Sequence, residues 1–144
     1  MTATNNSMWN LYISCFKKYF DFKGRATRKE FGAWLLFTYG IAFSLTIVGA
    51  LLFEGSETLG LLLISAAGVY MLACFIPGLA VGARRFHDLG KSGWIYASII
   101  IGVTILSSIP SELTQSLSGI ISIVCLLYML FSDSVDSNEY GPKA

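Results

Sequence analysis

Four long stretches of this chain, residues 31–53, 58–83, 93–109 and 113–131, contain no Asp, Glu, Lys, Arg or His. A water-soluble helix needs a polar face, so runs of this length call for lipid as their solvent. As a helix, residues 31–53 would reach roughly 35 Å, enough to cross a bilayer core of about 30 Å with modest tilt. Residues 58–83 exceed that need and should tilt or run past the interface. Residues 93–109 sit at the short limit. The expected fold is an all-α membrane protein, with four transmembrane helices preceded by an amphipathic interfacial helix. Composition agrees: 54% of residues are hydrophobic and 13% charged, the latter about half the usual share of a globular protein.

The charges between the runs are sorted by sign. Lys17, Lys18, Lys23, Arg25, Arg28 and Lys29 precede the first run, Arg84, Arg85 and Lys91 separate the second from the third, and Lys143 follows the fourth. The other two connections carry Glu54, Glu57 and Glu112 and no base. Cytoplasmic loops retain Lys and Arg, so the basic side is the expected cytoplasm and both termini lie there. Four crossings place the termini on one side, which agrees independently. The net charge of +1 conceals this pattern.

One membrane domain over residues 8–131 is expected, between a disordered stretch at 1–7 and a cytoplasmic tail at 132–144, disordered apart from its last turn. Only Pro110, Ser111 and Glu112 join the last two runs. That connection forces an antiparallel hairpin; a re-entrant pair that stops short of crossing is the alternative. Pro77 removes a backbone donor and predicts a kink. Gly78 and Gly82 have the small-xxx-small spacing of closely approaching helices. Over residues 9–20, Trp9, Tyr12, Ile13, Phe16, Tyr19 and Phe20 recur at helical steps, opposite Asn10, Ser14, Lys17, Lys18 and Asp21. A basic, aromatic-rich helix of this kind lies in the headgroup plane. The first apolar run is too long for a secretory signal. Cys15, Cys74 and Cys125 match no metal or redox spacing and read as structural.

Three segments on the basic side stand out. One holds Gly24, Arg25, Arg28, Glu30 and Phe31. The second holds Arg84, Arg85, His87, Asp88, Gly90, Ser92, Gly93 and Trp94. The third holds Asn138, Tyr140, Gly141 and Pro142. Together they resemble the bacterial inner-membrane family known as domain of unknown function 805, and the likeness covers essentially the whole chain. Two positions depart from that pattern. Gly32 and Ile95 stand where the family usually has tryptophan, and Trp34 is placed to supply the first missing anchor. The resemblance implies location in the bacterial inner membrane and names no activity.

The central segment has a local logic of its own. The second long helix is expected to continue through 84–89 and stop at Gly90 in a left-handed C′ conformation. Ser92 then caps the next helix, with Trp94 as interfacial anchor. Arg84 and Asp88 are four apart and predict a pair on one helix face, with Arg28 and Glu30 able to join them. Several motifs fail. Gly90-Lys91-Ser92 lacks the upstream glycine of a phosphate-binding loop, where Arg85 stands. Trp94 replaces the last glycine of a nucleophile elbow. His87 is the single histidine, so a histidine-rich metal site is excluded.

Ionisable groups in mid-membrane usually mark ion or proton paths, and their absence weighs against a carrier acting alone. The leading expectation is a non-enzymatic helical bundle with a cytosolic collar of Arg25, Arg28, Glu30, Arg84, Arg85, His87, Asp88 and Lys91. That collar would bind anionic lipid headgroups or an acidic partner, each juxtamembrane base contributing about 1 kcal/mol. A transport or channel subunit acting as an oligomer is the alternative. A membrane enzyme is a further one, with arginines clamping a lipid phosphate and His87 moving protons beside Asp88 or Glu30. The expected partners are membrane lipids and a second copy or another membrane protein. No nucleic acid, cofactor or metal is expected.

Overall fold

A computed structural model describes residues 7–143. Five helices follow in order: α1 (Met8–Lys17), α2 (Arg28–Phe53), α3 (Glu57–Asp88), α4 (Gly93–Ser108) and α5 (Glu112–Phe131). Among the described residues there is no strand, only an isolated bridge between Asn138 and Gly141. Of the stretch expected to be disordered, 1–7, residues 1–6 lie outside the described residues, and Ser7 is instead ordered as the N-cap of α1, its hydroxyl accepting from the Asn10 N–H at 3.3 Å.

Three helices, α2, α3 and α5, are long and apolar enough to cross a membrane, and α4 is a shorter apolar helix. At 16 residues, α4 covers about 24 Å, less than the roughly 30 Å of a hydrocarbon core. The outward faces of α4 and α5 carry exposed Ile101, Ile105, Leu113, Ile120, Val124 and Phe131. Apolar side chains in that position are at home against lipid.

Helices α2 and α3 form the main pair. Their closest approach is near the turn that joins them, where a Cβ at Gly60 would lie 2.8 Å from both the Gly49 carbonyl oxygen and the Phe53 Cα. This crossing, and not Gly78 and Gly82, is where the two backbones meet. Gly78 makes room for the Trp34 indole, and Gly82 for the Tyr96 ring. The small-xxx-small spacing therefore accommodates aromatic rings. Helix α3 continues unbroken through Pro77.

Helix α1 is shorter than its aromatic pattern predicts, ending at Lys17, and is docked on the bundle. Tyr12 and Cys15 are buried. The Tyr12 ring lies 5.2–5.5 Å from those of Phe16, Trp34 and Phe37, and its hydroxyl is 2.6 Å from that of Tyr70. Beyond the helix, the Tyr19 hydroxyl donates to the Ala73 carbonyl at 2.9 Å. Aromatic rings favour such tilted and edge-on packing by about 0.5–1.5 kcal/mol per pair beyond area burial. This cluster fixes α1 beside α2 and α3, and sets the segment that follows it against the end of α3.

Candidate functional site

The basic segments meet at one end of the bundle, and local capping places them there. Thr27 Oγ1 accepts from the Glu30 N–H at 3.1 Å, which starts α2 and fixes Glu30 in its first turn. Thr27-Arg-Lys-Glu30 has the pattern of a capping box, a signal that predicts this helix start. Helix α3 stops as the sequence requires. Gly90 has φ +70°. Its N–H donates to the His87 carbonyl at 3.0 Å, and the Lys91 N–H to the Phe86 carbonyl at 2.9 Å. These two bonds complete a Schellman motif. Ser92 Oγ then accepts from the Trp94 N–H at 3.3 Å and opens α4, leaving Trp94 exposed.

Held by these caps, the arginines turn inward. The side chains of Arg25, Arg84 and Arg85 are 3%, 1% and 0% exposed, and that of Asp88 is 0%. Asp88 is the hub. Its Oδ1 accepts from Arg25 Nε at 2.8 Å, and its Oδ2 accepts from Arg85 Nη1 and from the Ser134 hydroxyl. Arg85 also donates through Nε to the Met129 carbonyl at 2.8 Å and through Nη2 to that of Ser132 at 2.6 Å. Those carbonyls end α5, where the helix dipole favours a cation.

Arg25 fastens the tail. Its Nη1 donates to the carbonyls of Asp136 at 2.8 Å and Gly141 at 3.1 Å, and its Nη2 to those of Val135 at 2.5 Å and Asp88 at 3.2 Å. The Val135 N–H returns a bond to the Asp88 carbonyl at 3.1 Å. Asn138 Nδ2 donates to the His87 carbonyl at 2.9 Å, while Asn138 Oδ1 accepts from the Tyr140 N–H. Tyr140 stacks on the His87 ring, with centroids 3.9 Å apart and planes 2° from parallel. Gly141 takes φ +125°, turning the chain back so that its carbonyl meets Arg25, ahead of exposed Pro142. The expectation of a disordered tail is corrected accordingly: Arg25 pins the segment through its backbone carbonyls.

Arg84 belongs to a second cluster. Its Nη1 donates to Glu30 Oε1 at 2.7 Å, and Lys18 Nζ stands 3.6 Å from the same oxygen. The Ala26 N–H donates to the Arg84 carbonyl, tying the segment before α2 to α3. The adjoining Cys15 thiol is pushed up to about 12 by burial, with the Glu30 charge adding to the shift and Arg84 opposing it. The expected pairing of Arg84 with Asp88 is also corrected. Arg84 faces α1 and α2, whereas Arg85, three residues before Asp88, shares its face toward the tail.

The eight expected collar residues therefore divide. Arg25, Glu30, Arg84, Arg85 and Asp88 point into the protein and are paired within it; Arg28 and Lys91 are exposed. His87 is half-buried. Its Nδ1 lies 3.0 Å from the Gly24 carbonyl oxygen, so the ring is positioned by backbone and not by Asp88 or Glu30. Phe31 is buried below Glu30, Gly24 turns with φ +77°, and Gly93 packs against Ala83 and His87. Among the described residues no three of His, Cys, Asp and Glu gather where a metal would sit.

All six lysines and Arg28 remain on the surface. Arg28, Lys29 and Lys143 line an open cleft of about 550 Å³ between α1, the start of α2 and the tail, beside Glu30 and Asp133. Arg28 pairs with Asp133 at 2.9 Å and Lys143 with Asp136 at 3.7 Å, in each case with the acid almost fully exposed. Pairs of that kind are weak and screened.

Residues 19–142 match the family model described as protein of unknown function, DUF805. The chain is similar to inner membrane protein YhaI of Escherichia coli K12, with 40% identity over 82 residues, 57% of this chain and 64% of YhaI. Inner membrane protein YhaH of the same strain is 32% identical over 84 residues, 58% of this chain and 66% of YhaH. The similarity thus spans just under two thirds of each of these relatives. Uncharacterized protein YiiR of that strain is 27% identical over 131 residues, 85% of this chain and 84% of YiiR. No solved structure matches the chain.

Proposed function

We propose, from the premise that this chain belongs to the DUF805 family of proteins of unknown function, that it is a non-enzymatic bundle of the inner membrane that gathers anionic lipid headgroups. It crosses four times, with α4 as the third crossing, and keeps both termini in the cytosol. The distribution of Lys and Arg supports this orientation, and the names of the relatives YhaI and YhaH support the location. The buried arginines are fasteners. The ligand surface is the cleft where Arg28, Lys29 and Lys143 are exposed, and that cleft is the observation that carries the reading. Asp133 in the cleft is held only by a weak surface pair with Arg28, so a phosphate can take its place. Each base near an anionic surface contributes about 1 kcal/mol.

Replacing Arg28, Lys29 and Lys143 together by glutamine tests the proposal. Native membrane patches extracted in polymer discs around the wild-type chain are expected to be enriched in anionic lipid. The triple variant, with its fold intact by circular dichroism, is expected to fall toward the composition of the bulk membrane. Equal anionic lipid content for the two chains contradicts the reading.

A further inference from the structure

A second cavity, of about 410 Å³, opens between α3 and α4, with His87, Phe22, Leu79, Ala83, Trp94 and Ala97 among its lining residues. Its size is that of a small-molecule site, for which about 300–1,000 Å³ is usual. Apolar side chains make most of its wall, and His87 brings a nitrogen to one end. The Gly24 carbonyl can only accept, so His87 Nδ1 carries the hydrogen of the bond between them. Nε2 is left beside Gly93, the first residue of α4, with no hydrogen-bond partner among the described residues. Stacking on Tyr140 holds the ring in this orientation.

The polarity of the cavity changes with depth. Leu79 precedes His87 by eight residues of one helix, about 12 Å along its axis. Leu79 and Ala97 lie within apolar runs, at the level of hydrocarbon. His87, Gly93 and Trp94 also line the cavity, Trp94 being 82% exposed, and two exposed lysines neighbour lining residues in the chain: Lys91 lies two residues before Gly93, and Lys23 follows Phe22. A molecule that fits both ends is apolar along one part and anionic at the other.

We propose that this cavity is a seat for one anionic phospholipid. A chain or glycerol segment packs against Leu79, Ala83 and Ala97, and the phosphate lies near His87 Nε2, Lys91 and Lys23. The inference deepens the headgroup reading and rests on it, but it invokes a single site outside the Arg28, Lys29 and Lys143 cleft.

Native mass spectrometry of the full chain in mild detergent tests it, with phosphatidylglycerol or phosphatidylcholine of matched chains added. The wild type is expected to retain one phosphatidylglycerol at concentrations that leave phosphatidylcholine unbound. Ala97→Trp fills the apolar end and is expected to lower that retention by at least about tenfold, the scale of a lost buried contact. His87→Asn is the second variant. Its amide can still donate to the Gly24 carbonyl while nothing replaces Nε2, and retention is again expected to fall. Equal retention of the two lipids by the wild type overturns the seat. So does wild-type retention by a folded Ala97→Trp, or by His87→Asn where Ala97→Trp fails to fold. The Arg28, Lys29 and Lys143 variant keeps its single lipid if only the diffuse surface is lost, so failures of the two readings are distinguishable.

Discussion

Asp88→Asn is expected to destabilise the protein by about 3–5 kcal/mol, the cost of removing one partner from a buried ion pair. The substitution preserves shape and changes charge, so the loss reads the electrostatics of the hub. Arg25 and Arg85 would share a nearly inaccessible space without a counter-ion. The new NH2 group would face either Arg25 Nε or both Arg85 Nη1 and Ser134, all of which already donate to Asp88. Unfolding in mixed micelles, followed by circular dichroism, measures the effect. A companion variant with Asp88→Asn and Arg85→Met is expected to recover part of the loss, since one stranded charge is gone. A change below about 1 kcal/mol in the single variant, the range of surface pairs, would mean that the network is wet and weak.

Gly60→Ala is expected to separate α2 from α3, against the usual preference for alanine in a helix by about 1 kcal/mol. The added methyl meets the Gly49 carbonyl and Phe53 Cα at 2.8 Å, and backbone cannot swing aside as a side chain end does. Overpacking of this kind costs about 1–3 kcal/mol. Gly68→Ala provides the contrast within the same helix, because nothing lies within 4 Å of its new Cβ. That variant is expected to match or exceed wild-type stability. Thermal midpoints in one detergent compare the two. Equal behaviour of Gly60→Ala and Gly68→Ala would contradict the close crossing.

Features set by neighbours in the chain were legible from sequence. Gly90 adopts the left-handed conformation and Ser92 caps α4 because each answers to residues within a turn. The apolar runs became helices for the same reason, since their length and lack of charge leave few alternatives. Pairing was not legible. Arg84 finds Glu30 at a separation of 54 residues, and Arg25 finds Asp88 at 63; the local rule had offered Arg84 to Asp88. An arginine beside a membrane reads equally well as a surface cation or as an internal fastener, and only the packing around it decides. The tail misled for a related reason. Ser134, Asp136 and Asn138 look solvated, yet Arg25 holds the segment by its carbonyls, and carbonyls leave no trace in a sequence. Thr27-x-x-Glu30 is a further local signal, and it positions the carboxylate that receives Arg84.

The buried arginines bind the chain to itself, while Arg28 and the lysines stay on the surface. Backbone amide exchange at Val135 reads this fastening, because that N–H donates to the Asp88 carbonyl only while the tail is held. In the lipid-embedded wild type the amide is expected to be protected, and in Arg25→Ala, with α2 and α3 still protected, to exchange freely. Exchange at the rate of an unstructured peptide in the wild type would contradict the fastened tail and return Arg25 to the surface.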